Sequence, residues 1–270
     1  MKRISVIIGM LLVLFAQPGS ALAAEPEILT IAGTGDSQFL LQKLADDFNK
    51  AHPEIRVLVP NSVGSTGGIR ALLAGEIRLA RTARPLKEKE QGQGLVEVRF
   101  AYSPIAFVTH PSVEGIDNLT SAQIIGIYSG QYGRWSELGG PDAKIYPVDR
   151  EIGDSSRTVL EKRLPGFRDI HSRGKIFYNT PDAANAIASH SFTVGFLPLN
   201  IASYAGLKVL RIDGKSPRKY VTSGSAYPYI VPFFMVSRGE PAGPALQFLR
   251  FLSTEKTRHR LQAENVRPAR

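Results

Sequence analysis

Apolar positions early in the chain switch between short continuous runs and helical spacing. Ile28-Leu29-Thr30-Ile31-Ala32 predicts a strand and Gly33-Thr34-Gly35-Asp36-Ser37 a turn. Leu40, Leu41, Leu44 and Phe48 then mark one face of an amphipathic helix that His52-Pro53 ends. The pattern repeats with a strand at 55–59, the loop Gly64-Ser65-Thr66-Gly67-Gly68 and a helix over 69–74. A third strand at 77–80 runs into Thr82-Ala83-Arg84-Pro85 and a polar helix. After Pro104 the apolar run 105–108 leads into a second unit with a helix over 119–128, a strand at 145–148 and another strand-to-helix loop, Gly153-Asp154-Ser155-Ser156. A strand at 229–236 and a helix over 245–262 return the chain to the first unit. Strands alternating with helices at this spacing predict an α/β fold with a mostly parallel sheet flanked by helices. Ligands of such sheets sit beyond the carboxyl ends of the strands, where these loops lie.

Composition narrows the picture. Lys2-Arg3, the apolar run 4–15 and Ala21-Leu22-Ala23 have the order of a secretory signal cleaved after Ala23, giving residues 1–23 as a signal peptide and a periplasmic mature protein. The run is shorter than the roughly 20 residues a membrane-spanning helix needs. With no Cys in the chain, a lipid-modified N-terminus and a disulfide framework are excluded. The formal net charge of +9, two units of it from the leader, favours anionic partners. The basic residues are scattered and lack any nucleic-acid-binding signature, so no nucleic acid is expected. His52, His110, His171, His190 and His259 show no metal-ligand spacing, and no cofactor is implied.

The loops carry the candidate chemistry. An oxyanion held without metal needs convergent donors, and a helix N-terminus supplies unpaired N–H groups and the positive end of its dipole. Gly permits close backbone approach, Ser and Thr add hydroxyls, and Arg adds a planar fork. Ser, Thr and Asp before a helix are also ordinary caps, so Asp36 and Asp154 each have two readings, ligand contact or capping. Arg84 in the third loop is assigned to the cleft, while Arg157 serves equally as a structural ion-pair partner. Trp135 and the Tyr227-Pro228-Tyr229 cluster are read as packing.

In order along the chain, Leu29 to Thr34, Gly64 to Ile69, Thr82-Ala83-Arg84-Pro85-Leu86, Ile127-Tyr128-Ser129-Gly130, Trp135, Gly139-Gly140, Arg150-Glu151-Ile152-Gly153, Ser223 to Pro228 and Gly239-Glu240-Pro241 resemble the phosphate-binding proteins of ABC importers, within the type II periplasmic binding protein superfamily. The resemblance implies two lobes joined by crossing strands, lobe I being 24–105 plus 230–270 and lobe II 106–229. It implies a monomeric solute-binding protein that captures inorganic phosphate, or a related tetrahedral oxyanion, between the lobes and delivers it to an ABC transporter permease. Thr34, Gly35, Ser65 and Thr66 would contact the anion from one lobe and Arg150, Ser155 and Ser156 from the other, with Asp36, Thr82, Arg84 and Asp154 completing the candidate site. Two departures stand out: Ala83 replaces an Asp of the best-known members, and their Ser-Gly-Thr reads Asp154-Ser155-Ser156. A carboxylate only accepts hydrogen bonds and so favours an anion that still carries a proton; Asp154 is the candidate to replace the lost acceptor, and sulfate or arsenate stay open as ligands.

Two other functions fit part of the pattern. An anion-binding sensor or adaptor docking a membrane receptor would keep the same fold and cleft. Gly35-Asp36-Ser37 also resembles the nucleophile block of GDSL-type hydrolases, and Gly153-Asp154-Ser155 offers a second copy. The chain contains no Asp-x-x-His to supply their base, and a Ser without a positioned base is a poor nucleophile, so no enzyme is expected.

Overall fold

The computed structural model describes residues 25–269; the signal-peptide assignment falls outside them. The first lobe starts β1 (Glu27–Gly33), α1 (Gln38–Ala51), β2 (Ile55–Leu58), α2 (Gly64–Leu73) and β3 (Leu79–Thr82). β2 and β3 flank β1 in parallel. Leu40, Leu41, Leu44 and Phe48 of α1 are buried beneath them, as their spacing requires.

The 15-residue strand β4 (Leu95–Thr109) then spans both lobes. It is followed by β5 (Asn118–Leu119), α3 (Ser121–Ser129), β6 (Tyr146–Arg150), α4 (Ser155–Arg163), β7 (Lys175–Phe177), α5 (Thr180–Ser189), β8 (Thr193–Pro198), α6 (Leu199–Tyr204), β9 (Lys208–Val209), β10 (Arg211–Ile212) and α7 (Pro217–Ser223). The chain returns through β11 (Ile230–Arg238), α8 (Gly243–Leu252), α9 (Glu255–Ala263) and β12 (Arg267–Pro268). The main sheet runs β2-β1-β3-β11-β4-β8-β6-β7. β11 lies antiparallel to both β3 and β4. β6 pairs in parallel with β7 and β8. β4 changes partner in mid-strand, with Leu95 to Pro104 lying along β11 and Ile105 to Thr109 along β8. The result is a two-lobed α/β architecture, each lobe parallel at its centre and the two joined by antiparallel crossing strands.

Several boundaries move for local reasons. α2 begins at Gly64 rather than at 69, because the Gly-Ser-Thr-Gly-Gly segment is itself the first turn of the helix. β3 sits two residues later than 77–80, and the polar helix after Pro85 is a single 3-10 turn at Glu88–Glu90. Leu119 belongs to β5, and α3 starts after Thr120, whose hydroxyl accepts from Gln123 N–H while Gln123 Oε1 accepts from Thr120 N–H. β6 is Tyr146–Arg150, so it extends to Arg150 beyond the 145–148 reading. The helix expected over 245–262 is two helices, broken where Thr254 adopts extended backbone and caps α9 through Thr257 N–H. Trp135 is fully buried with its indole N–H donating to Phe192 O, and Tyr227 donates to Ile105 O at 2.7 Å, so both are packing residues.

Candidate anion-binding site

A cavity of about 120 Å3 lies where β1, β3, β6 and β7 end, with α2, α4 and α5 starting around it. Thr34, Gly35, Ser62, Val63, Gly64, Ser65, Thr66 and Arg84 line it from the first lobe. Arg150, Glu151, Gly153, Asp154, Ser155, Tyr178 and Thr180 line it from the second. Cofactor and drug-sized pockets run to roughly 300–1,000 Å3, so this one fits a small ion. A larger hollow of about 670 Å3, bordered by Lys144, Arg173 and Lys175, lies at the opposite end of the second lobe's sheet. There α5 presents its C-terminal end, the wrong end of the dipole for an anion.

Two glycines set the geometry. A Cβ on Gly33, whose φ is +143°, would fall 1.9 Å from Arg81 O, so only glycine lets the end of β1 lie against β3. A Cβ on Gly68 would meet Gly33 Cα at 2.7 Å and Ala32 O at 2.9 Å. α2 is thereby drawn against the end of β1 and its N-terminus reaches the cavity. Gly68→Ala is expected to destabilise the fold by about 1–3 kcal/mol through overpacking against backbone. Urea titration measures this, and unchanged stability would contradict the close approach.

The N-termini of α2 and α4 leave N–H groups without intrahelical acceptors at the cavity wall. Asp154 caps α4 by accepting from Arg157 N–H at 3.0 Å. Its other carboxylate oxygen accepts from Arg150 Nη2 at 2.8 Å. Arg150 also donates from Nη1 to Thr180 Oγ1 at 2.9 Å and from Nε to Phe177 O at 3.2 Å. Arg84 makes a two-pronged contact with Glu90 at 2.7 and 2.8 Å, and its Nη2 lies 3.3 Å from Thr66 Oγ1. Arg157, held by Asp149 and Glu161, is a structural ion-pair residue outside the lining.

Arg81 differs from all of these. Fully buried, it donates to the carbonyls of Ile31, Thr34 and Pro60 and has no carboxylate partner among the described residues. Burial pulls its pKa down to about 10, so it is still charged at neutral pH. It ties the first loop to the segment before α2 and places an uncompensated positive charge behind the cavity.

The lobes touch across the site. Ser65 Oγ and Ser155 Oγ are 3.4 Å apart, and Asn200 Nδ2 donates to Asp36 O at 3.1 Å. This closed arrangement, with hydroxyls, helix N-termini and guanidinium groups around a hollow the size of a small ion, suits reversible capture of an oxyanion. A family model described as the PBP superfamily domain matches residues 19–256. The chain belongs to this PBP superfamily. It is similar to the phosphate-binding protein PstS of Borreliella burgdorferi, 25% identical over 246 residues, covering 84% of this chain and 85% of the relative. The PstS of Bacillus subtilis is 26% identical over 230 residues, covering 84% and 75%. Among solved structures, an ABC-type phosphate transport receptor from Vibrio cholerae superposes with a TM-score of 0.65 at 25% identity, covering 90% of this chain and all of that one. A putative phosphate ABC transporter substrate-binding protein from Clostridium perfringens, solved with bound phosphate, superposes with a TM-score of 0.79 at 24% identity, covering 90% and 100%.

Within this PBP-superfamily cleft, Thr34, Gly35, Ser65, Thr66, Arg84, Arg150, Asp154 and Ser155 come together at the cavity wall. Asp36, Thr82 and Ser156 stand behind it, because their side chains are turned to protein partners. Thr82 Oγ1 donates to Arg84 O at 2.9 Å, and Ser156 Oγ donates to Asp36 at 3.2 Å. Sequence reasoning missed Ser62, Glu151, Tyr178, Thr180 and the buried Arg81. Asn179-Thr180-Pro181, a cap followed by Pro in the first helical turn, was a readable helix start that would have flagged Thr180. Ser37, the nucleophile position of the hydrolase reading, is fully buried, and Ser155 has Ser65 rather than a histidine beside it.

Proposed function

We propose that the mature chain is a monomeric periplasmic protein that captures inorganic phosphate between its lobes and delivers it to an ABC transporter permease without chemical conversion. The observation that carries this reading is the ion-sized cavity on which α2, α4, Arg84 and Arg150 converge from both lobes. The phosphate-binding names of its relatives support the choice of anion. The lobes divide at 24–105 plus 230–270 and 106–229, following the partner change of β4 at Pro104 and Ile105. Residues 1–23 serve as the export signal.

In the open protein the Thr34 and Ser65 loops meet the anion first, and Arg150, Asp154 and Ser155 then close over it. Dehydrating a multivalent oxyanion is costly, so each oxygen must find donors in the closed site. Thr34 Oγ1, Ser65, Thr66, Ser155 and the two helix N-termini supply them. Asp154 caps α4 and pairs with Arg150, and its oxygens keep lone pairs that accept a proton from phosphate but find none on sulfate. Asp154→Asn is therefore expected to cut the phosphate-over-sulfate preference by about tenfold, one hydrogen bond to a charged group. Competition binding reads this directly, and an unchanged preference would leave Asp154 as a cap alone.

Calorimetry of the anion-stripped mature protein against phosphate, sulfate and molybdate tests the whole reading. One phosphate per chain, bound in preference to the others, is expected. Absence of phosphate binding, or preference for sulfate, would overturn it.

A further inference from the structure

Asp36 is 1% exposed, and both hydrogen-bond partners of its carboxylate come from the other lobe. Thr180 Oγ1 donates to its Oδ1 at 2.5 Å and Ser156 Oγ to its Oδ2 at 3.2 Å, while Asn200 holds its backbone carbonyl. Among the described residues it has no ion-pair partner. Arg150, the cation whose charge acts on it, is paired with Asp154. A carboxylate buried with only neutral hydroxyls against it carries an uncompensated desolvation cost that a proton removes. Separating the lobes would strip away these partners and return the group to water.

We propose that Asp36 makes closure of the cleft take up a proton from solvent, so that anion capture is proton-coupled. This rests on the capture reading above and adds a positioning residue that does not itself line the cavity. At mildly acid pH, closure turns the carboxylate into a carboxylic acid whose O–H donates to Ser156 Oγ while its carbonyl oxygen still accepts from Thr180. Both hydroxyls can donate or accept, so either state of Asp36 fits. The charged groups acting on it are Asp154 at the start of α4 and Arg150 at the end of β6. α5 and α6 face it with the uncharged Thr180 and Asn200.

Burial first, then the charge of Asp154, push the closed-state pKa of Asp36 from 3.8 up to about 6, against the opposing pull of Arg150, Thr180 and Ser156. A group raised in the closed state contributes most to closure below its open-state value. Closure is thus strongest below about pH 4, weakens as the pH rises through about 6, and is flat above that. At neutral pH the charged Asp36 opposes both closure and the incoming anion.

Asp36→Asn is the decisive variant, because its amide reproduces the protonated acid, donating to Ser156 and accepting from Thr180, without titrating. At pH 7.5 it is expected to bind phosphate about tenfold or more tighter than the wild type, with the gap closing toward pH 5. Small-angle scattering without phosphate should show wild-type protein more compact at pH 5 than at pH 7.5 and the variant compact at both. A folded variant that binds phosphate more weakly at every pH, or that keeps the wild-type pH profile of compaction, would overturn the proposal. If neither protein bound phosphate but the difference in compaction persisted, proton-coupled closure would stand and the choice of ligand would fall.

Discussion

Arg150→Ala is expected to lower phosphate affinity by about two orders of magnitude or more. Two effects act in the same direction. The substitution removes a guanidinium that lines the cavity and orders Thr180, and it strands Asp154, whose carboxylate then faces the anion unpaired. Breaking one partner of a buried charge pair at a binding site costs about 2–5 kcal/mol, and each ~1.4 kcal/mol is tenfold in affinity. Arg150→Ala/Asp154→Ala should recover part of the loss by removing the stranded charge. Arg150→Lys should recover less than the wild type because an ammonium lacks the planar fork. Calorimetry on the three variants separates these contributions, and near-native phosphate binding by Arg150→Ala would remove the residue from the site.

The second large effect is on stability. Arg81→Met keeps an unbranched apolar stem and deletes the guanidinium that holds the carbonyls of Ile31, Thr34 and Pro60. Each buried acceptor left without a donor costs about 1–3 kcal/mol, so a loss of about 3 kcal/mol or more is expected. Phosphate binding should fall as well, since the first loop loses its anchor and the cavity its uncompensated positive charge. Urea denaturation followed by circular dichroism measures the first, and a loss below about 1 kcal/mol would show that water or neighbouring donors satisfy those carbonyls.

These residues also mark where sequence reading works and where it stops. β1, α1 and β2 were legible because their patterns are local, with a near-continuous apolar run for β1, alternation of buried and exposed positions for β2 and three-and-four spacing for a helix packed on one face. The loops at Thr34, Ser65, Arg84 and Arg150 were legible as helix starts and strand ends, so most of the cavity wall could be written down from them. The break between α8 and α9 was not, because the polar residues 253–260 between Leu252 and Leu261 read as one solvated helix face that only the cap at Thr254 interrupts. Asp36 reads from sequence as a ligand contact or a cap, but its partners Ser156, Thr180 and Asn200 lie 120, 144 and 164 residues away. Arg81 was passed over because a lone arginine ending a strand normally reaches solvent; only the close approach of β1, β3 and the 60–62 segment supplies the carbonyls that bury it.

Locating the bound anion tests the central claim most directly. In crystals of the mature protein grown with arsenate, a tetrahedral analogue of phosphate whose anomalous scattering marks its position, the strongest anomalous peak is predicted in the cavity between Thr34, Ser65 and Arg150, with both lobes contacting it. A peak in the basic hollow beside Lys144 and Arg173, or an empty cleft at saturating arsenate, would contradict the account.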